Sequence, residues 1–130
     1  MGWGVSQSSV GLVGAEEPEA GRLPAFFRER GFQVSRWSTL VEASRLAGVE
    51  HALVAFADAF PPGPFVKWLE LVRKADAARL VLVLTAAPTT FAGPTALKGQ
   101  NVLVLVRPVL AWQLVDLIRH HVQRHVGGDA

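Results

Sequence analysis

The segment HALVAFADAFPPGP, residues 51–64, is an apolar run that stops abruptly in a proline-rich turn, and it restricts the fold more than any other part of the chain. Its Ala, Leu, Val and Phe residues lack strict alternation, as expected of a strand covered by helices on both faces. This pattern predicts the central strand of a parallel sheet. In such sheets binding and chemistry gather just beyond the carboxyl ends of the strands. Here that end reads Phe56-Ala57-Asp58-Ala59-Phe60-Pro61 and offers a single carboxylate.

The rest of the chain supplies elements to flank this strand. Residues 9–14 (SVGLVG) form a first strand candidate, and Ala15-Glu16-Glu17-Pro18-Glu19 a turn whose acids suit the positive end of a helix. That helix carries Leu23, Phe26 and Phe27 on one face and Arg28, Glu29 and Arg30 on the other, and Gly31 ends it. Pro24 inside the pattern predicts a later start or a bend. Residues 32–37 alternate as a second strand, followed by Ser38 or Thr39 as the cap of a helix through Leu40, Ala43, Leu46 and Ala47, closed by Gly48. Phe65, Trp68, Leu69 and Val72 recur at helical spacing. Residues 79–85 (RLVLVLT) and 102–106 (VLVLV) read as two further buried strands. Between them Pro88, Gly93 and Pro94 interrupt any continuous helix, so the fourth helix is expected to be short, broken or missing. A last helix over 110–126 has an apolar arc of Leu110, Leu114, Val115, Leu117, Ile118 and Val122, wider than the ~100° stripe that one packing face needs. The expected fold class is α/β, an open five-stranded parallel sheet with helices on both faces. Residues 9–126 form one domain, with flexible termini at 1–8 and 127–130.

Composition narrows the function. Thirteen basic and eleven acidic residues leave a net charge of +2, so charge gives no reason to expect nucleic acid. The absence of cysteine removes disulfides, thiol catalysis and thiolate metal sites. No basic segment followed by an apolar core opens the chain, and no apolar run is long enough to span a bilayer. A cytoplasmic protein without a membrane partner is the expectation.

The order of elements and the residues at the strand ends resemble the receiver domain of two-component response regulators. Ala15 to Glu19 (AEEPE) is similar to the acidic turn after that family's first strand, often DDEPE. Thr85 stands where the family has a hydroxyl residue, Arg107-Pro108 where it has Lys-Pro, and Pro61 where it has the proline of a D-x-x-x-P turn. The resemblance implies a flavodoxin-like sheet of order 2-1-3-4-5. It also implies a phosphoacceptor aspartate and acids that hold magnesium, because a phosphoryl group needs a carboxylate nucleophile and a metal needs several oxygen ligands. Counting back four from Pro61 places Ala57 at the acceptor position, and a methyl group accepts no phosphate. The metal pair reduces to Ala15 and Glu16, the lysine to the planar fork of Arg107, and the aromatic switch position to Val104. This pattern resembles that of a pseudo-receiver, and the resemblance implies a non-enzymatic, phosphorylation-independent module that works by protein contact or dimerisation, with no cofactor and no bound metal. Two alternatives stand beside it. One is an active receiver using Asp58 with Glu16 and Glu17, which needs a bulge at the strand end because neighbouring strand residues point to opposite faces. The other is a small-ligand binder using the strand-end cleft.

Other motifs are weaker. His121 and His125 have zinc-ligand spacing and His120 adjoins them, but no third ligand is visible, and a polar helix end explains them. Gly11 and Gly14 lack the third glycine of a dinucleotide loop. The surplus apolar arc and an out-of-phase Trp112 make the last strand and last helix the expected interface with a protein partner or a second copy, with Val104, Trp112, Val115, Arg119 and Val122 as candidates.

Overall fold

The computed structural model describes residues 8–15, 19–46, 51–91 and 101–127. Five parallel strands, β1 (Ser9–Val13), β2 (Gln33–Trp37), β3 (Ala52–Phe56), β4 (Leu80–Thr85) and β5 (Val102–Val106), form one sheet in the order 2-1-3-4-5. Helices α1 (Glu19–Glu29), α2 (Leu40–Leu46), α3 (Pro62–Ala75) and α4 (Ala111–Gly127) connect or follow them. The expected architecture and strand order are those observed. Ala47, Gly48, Gly93 and Pro94 lie outside the described residues, and the segment after β4 begins as a short 3-10 turn over Pro88–Phe91.

Side-chain alternation divides the core between the two faces of the sheet. Ala52, Val54 and Phe56 of β3 join Val10, Leu12, Leu82 and Leu84 under α1 and α4, where Leu23, Phe27, Leu114 and Ile118 cover them. Leu53 and Ala55 join Val13, Val81 and Val83 on the other face, beneath Phe65, Trp68, Leu69 and Val72 of α3. Every residue of β3 and β4 is buried, which explains why neither strand shows a polar side.

Local sequence sets the helix ends. At the close of α1, Gly31 takes a φ of 90° and donates to Arg28, while Phe32 N–H donates to the Phe27 carbonyl. The Phe27 and Phe32 rings meet edge-on at 5.7 Å, which completes a Schellman motif with its apolar contact. Pro24 neither delays nor ends α1, which starts at Glu19 and contains it. Packing of Leu23 and Phe27 offsets the backbone bond the proline removes. Thr39 Oγ1 accepts from Glu42 N–H at 3.1 Å, and Glu42 Oε1 accepts from the N–H groups of Ser38 and Thr39, a capping box that starts α2. Pro62 fits the first position of α3, where no N–H is needed. Helix α4 starts one residue later than its periodicity suggests. Leu110 precedes it, donating its N–H to Gln113 Oε1 at 3.0 Å, and is 56% exposed instead of lying in the apolar arc.

Candidate functional site

The carboxyl ends of β3, β4 and β5 converge on one polar cluster. Phe56 leaves the strand conformation with φ −88° and ψ 87°, and residues 57–59 close a 3-10 turn through Phe60 N–H to the Ala57 carbonyl at 3.1 Å. Ala57 continues the alternation of β3 and packs into the α3-side core at 1% exposure, on the face of Leu53 and Ala55, and Asp58 in the turn is the residue whose side chain reaches across to β4. The expectation that Ala57 occupies the cleft rested on the count back from Pro61, and the structure places that methyl group in the core instead. A second proline carried the missing signal: counting back four from Pro62 in the pair Pro61-Pro62 gives Asp58.

The Asp58 carboxylate is held at both oxygens. The Thr85 hydroxyl donates to Oδ1 at 2.6 Å, and the Ala86 N–H donates to Oδ2 at 2.8 Å. Arg107 Nη1 stands 3.8 Å from Oδ2. Both charged side chains are 33% exposed, so the ion pair itself is worth at most ~1 kcal/mol. The two shorter, charge-assisted hydrogen bonds fix the geometry. Thr85 is fully buried, and its oxygen also accepts from the Ala87 N–H at 3.0 Å, which ties the loop after β4 to the same point. Arg107 follows β5 directly. Its N–H donates to the Thr85 carbonyl at 2.9 Å, its bond to Pro108 is cis, and its guanidinium lies 5.6 Å from the Phe56 ring.

Aromatic packing anchors the turn that carries Asp58. Phe60 stacks on Phe65 with ring planes 8° apart and centroids 6.3 Å apart. It also lies against Gly14, where a Cβ would come within 2.6 Å of the ring and where φ is +79°. Gly11 is filled in the same way by the Trp37 ring, 2.4 Å from where its Cβ would be. Both glycines thus make room for aromatic side chains, which leaves neither as a phosphate cradle. Ala15 packs its methyl group against the α1 and α4 side of the core. Glu16 and Glu17 lie outside the described residues.

The structure separates the interface candidates. Trp112 is 54% exposed, as are Val106 and Leu110 at 56% each. Val115 is only 3% exposed and belongs to the core, while Val104 and Val122 are half-buried against the two core clusters. The surplus width of the α4 arc is consumed within the fold, because α4 packs against both β4 and α1. Arg119 serves the same contact: its Nη2 donates to the Arg30 carbonyl at 3.0 Å, and its guanidinium lies 5.8 Å from the Phe32 ring. His121 Nε2 lies 2.8 Å from the Ala78 carbonyl, His120 is exposed, and the His125 side chain is outside the described residues. Among the described residues, no three His, Asp or Glu side chains group as metal ligands.

Solved structures similar to this one are receiver domains. A response regulator receiver protein from Sinorhizobium medicae superposes with a TM-score of 0.75 at 14% identity, covering 89% of this chain and 94% of that one. A two-component response regulator from Clostridium difficile gives 0.76 at 13% identity, covering 92% and 98%. The receiver domain of NtrC4, solved as a beryllofluoride-activated dimer, gives 0.71 at 21% identity, covering 87% and 94%. This chain has the receiver fold. No protein-family model matches the sequence, and no curated protein does either. The receiver fold explains why the polar cluster lies where it does, since the strand ends that meet at Asp58 are those of the central strand and the two that follow it. Among the described residues, no helix is long and apolar enough to cross a membrane.

Proposed function

We propose that this chain is a receiver-like module of bacterial signalling that works by protein contact, without phosphotransfer. The carrying observation is the state of Asp58, whose two oxygens are already engaged by Thr85, Ala86 and Arg107. The methyl of Ala15 in place of an acid at the end of β1 weakens metal binding, and metal is what phosphotransfer to a carboxylate requires. A second reading rests on the same residue: Asp58 faces Thr85 and Arg107, so an active receiver would use it as the acceptor. Titration with magnesium and beryllofluoride separates the two. The proposed function expects no saturable change in tryptophan fluorescence or in the Ala86 amide resonance. A magnesium-dependent change abolished by Asp58→Asn establishes the second reading instead.

The contact surface we assign is the turn from β5 into α4, where Val106, Leu110 and Trp112 are each more than half exposed. The NtrC4 receiver domain forms a dimer. By analogy the partner here is a second copy or another protein docking at that turn. Aromatic anchors commonly dominate such interfaces. Trp112→Ala is expected to weaken self-association at least about tenfold in sedimentation equilibrium, the effect of one hot-spot side chain, with the thermal midpoint unchanged. Identical sedimentation of both proteins at high concentration would remove this surface from the proposal.

A further inference from the structure

The end of the sheet opposite the polar cluster carries a histidine in a role that only one of its protonation states can fill. His51 immediately precedes β3, and its Nδ1 lies 3.0 Å from the Ser9 backbone nitrogen and 3.1 Å from Ser9 Oγ. A backbone N–H only donates, so Nδ1 accepts with its lone pair and the ring proton sits on Nε2. A second bond runs the other way, because the His51 N–H donates to the Ser9 carbonyl at 2.9 Å, with Ser9 Oγ 3.3 Å from the same nitrogen. Ser8 extends these contacts to β2, its carbonyl accepting from the Gln33 N–H at 2.9 Å. The start of β1 is thus held on β3 and in turn holds β2, which among the described strands joins the sheet through β1 alone.

We propose that Ser9 and His51 form a proton-sensitive clasp between β1 and β3, closed while the imidazole is neutral and opened when Nδ1 takes up a proton. Protonation turns Nδ1 from an acceptor into a donor. The Ser9 hydroxyl can rotate to accept from it, but the Ser9 N–H cannot, and it loses its partner. His51 is exposed, so the proton arrives from solvent without any prior opening of the fold. The charged groups at this end of the sheet are Arg79, buried beside His51 in the register that pairs Leu80 with Ala52, and Arg73, Lys74 and Asp76 at the close of α3. The Arg45 side chain and Glu50 lie outside the described residues. No described carboxylate forms an ion pair with His51, so no such pair replaces the contact a proton removes. The clasp therefore contributes stability at neutral and alkaline pH and loses it as the pH falls through the range where imidazoles protonate. What opens is local: the start of β1 frays from β3, and the Ser8 bond to β2 loosens with it.

Histidine nitrogen-15 shifts of the full chain at about pH 8 should place the His51 ring proton on Nε2 and leave Nδ1 bare. In amide exchange corrected for intrinsic rates, the protection of Ser9 should fall about fivefold between about pH 8 and about pH 5, the scale of one lost hydrogen bond, with Gln33 following it. His51→Asn puts an amide oxygen that does not titrate where Nδ1 was, so it should keep the Ser9 protection at both pH values. His51→Ala should lack that protection at both. The core amides of β4 are the reference, and their protection should not fall with that of Ser9. A ring proton found on Nδ1 at the higher pH would overturn the clasp, as would an equal pH response in wild type and His51→Asn. A loss of protection shared by Ser9 and the β4 amides would also overturn it, because the opening would then be global.

Discussion

Ile118→Asp is expected to leave the chain without a cooperative unfolding transition at room temperature. Ile118 is completely buried on α4, in the cluster with Leu114, Val115, Leu23 and Phe27 that covers one face of the sheet. The substitution forfeits about 1.5–3 kcal/mol of apolar burial. It also places a carboxylate where the core offers hydrocarbon, at an effective cost of several kcal/mol. A domain of this size has a net stability on the order of 5–15 kcal/mol, so the sum reaches its lower range. Ile118→Val is the control, expected to cost about 0.5–1.5 kcal/mol and stay folded. Circular dichroism on heating reads both. A native midpoint in Ile118→Asp would mean that α4 is not docked on the sheet as described.

The second large effect joins stability to the site. Phe65 is fully buried at the start of α3 and contacts the rings of Phe60, Trp68 and Phe91 at centroid distances of 6.3, 5.6 and 5.8 Å. Phe65→Ala is expected to cost about 3–5 kcal/mol. Urea unfolding should show this as a lowered midpoint with an unchanged slope. Because Phe60 rests on Phe65 and follows Asp58 by two residues, the variant should also loosen the Asp58 turn. The Ala86 amide resonance should then broaden or shift even where the chain remains folded. A change in stability with the Ala86 environment untouched would show that the turn is held by Gly14 and Phe60 alone.

Much of the scaffold was legible along the sequence because the relevant signals are local or periodic. The apolar runs of β3, β4 and β5, the helical spacing of Phe65, Trp68, Leu69 and Val72, and the Gly31 terminator each depend on residues within a turn or two of one another. The order of elements then leaves few topologies. The expected site residues Thr85 and Arg107 lie together in the structure for the same reason, since both sit at ends of neighbouring parallel strands in register.

What the sequence by itself determined is therefore the set of strands and helices, the open parallel sheet they form and the polar residues at the strand ends, while the strand order followed from the resemblance to receiver domains. Only the tertiary structure decided that Asp58, and not Ala57, reaches Thr85. The strand stops at Phe56, Ala57 keeps to the α3-side core, and the short turn that follows, with Phe60 packed on Phe65 and Gly14, carries Asp58 across to Thr85. It likewise decided that the broad apolar arc of α4 is buried between β4 and α1, leaving Trp112 exposed. A helix facing two neighbours and a helix facing one neighbour plus a partner have the same apolar pattern, and the difference lies in contacts between residues far apart in the chain.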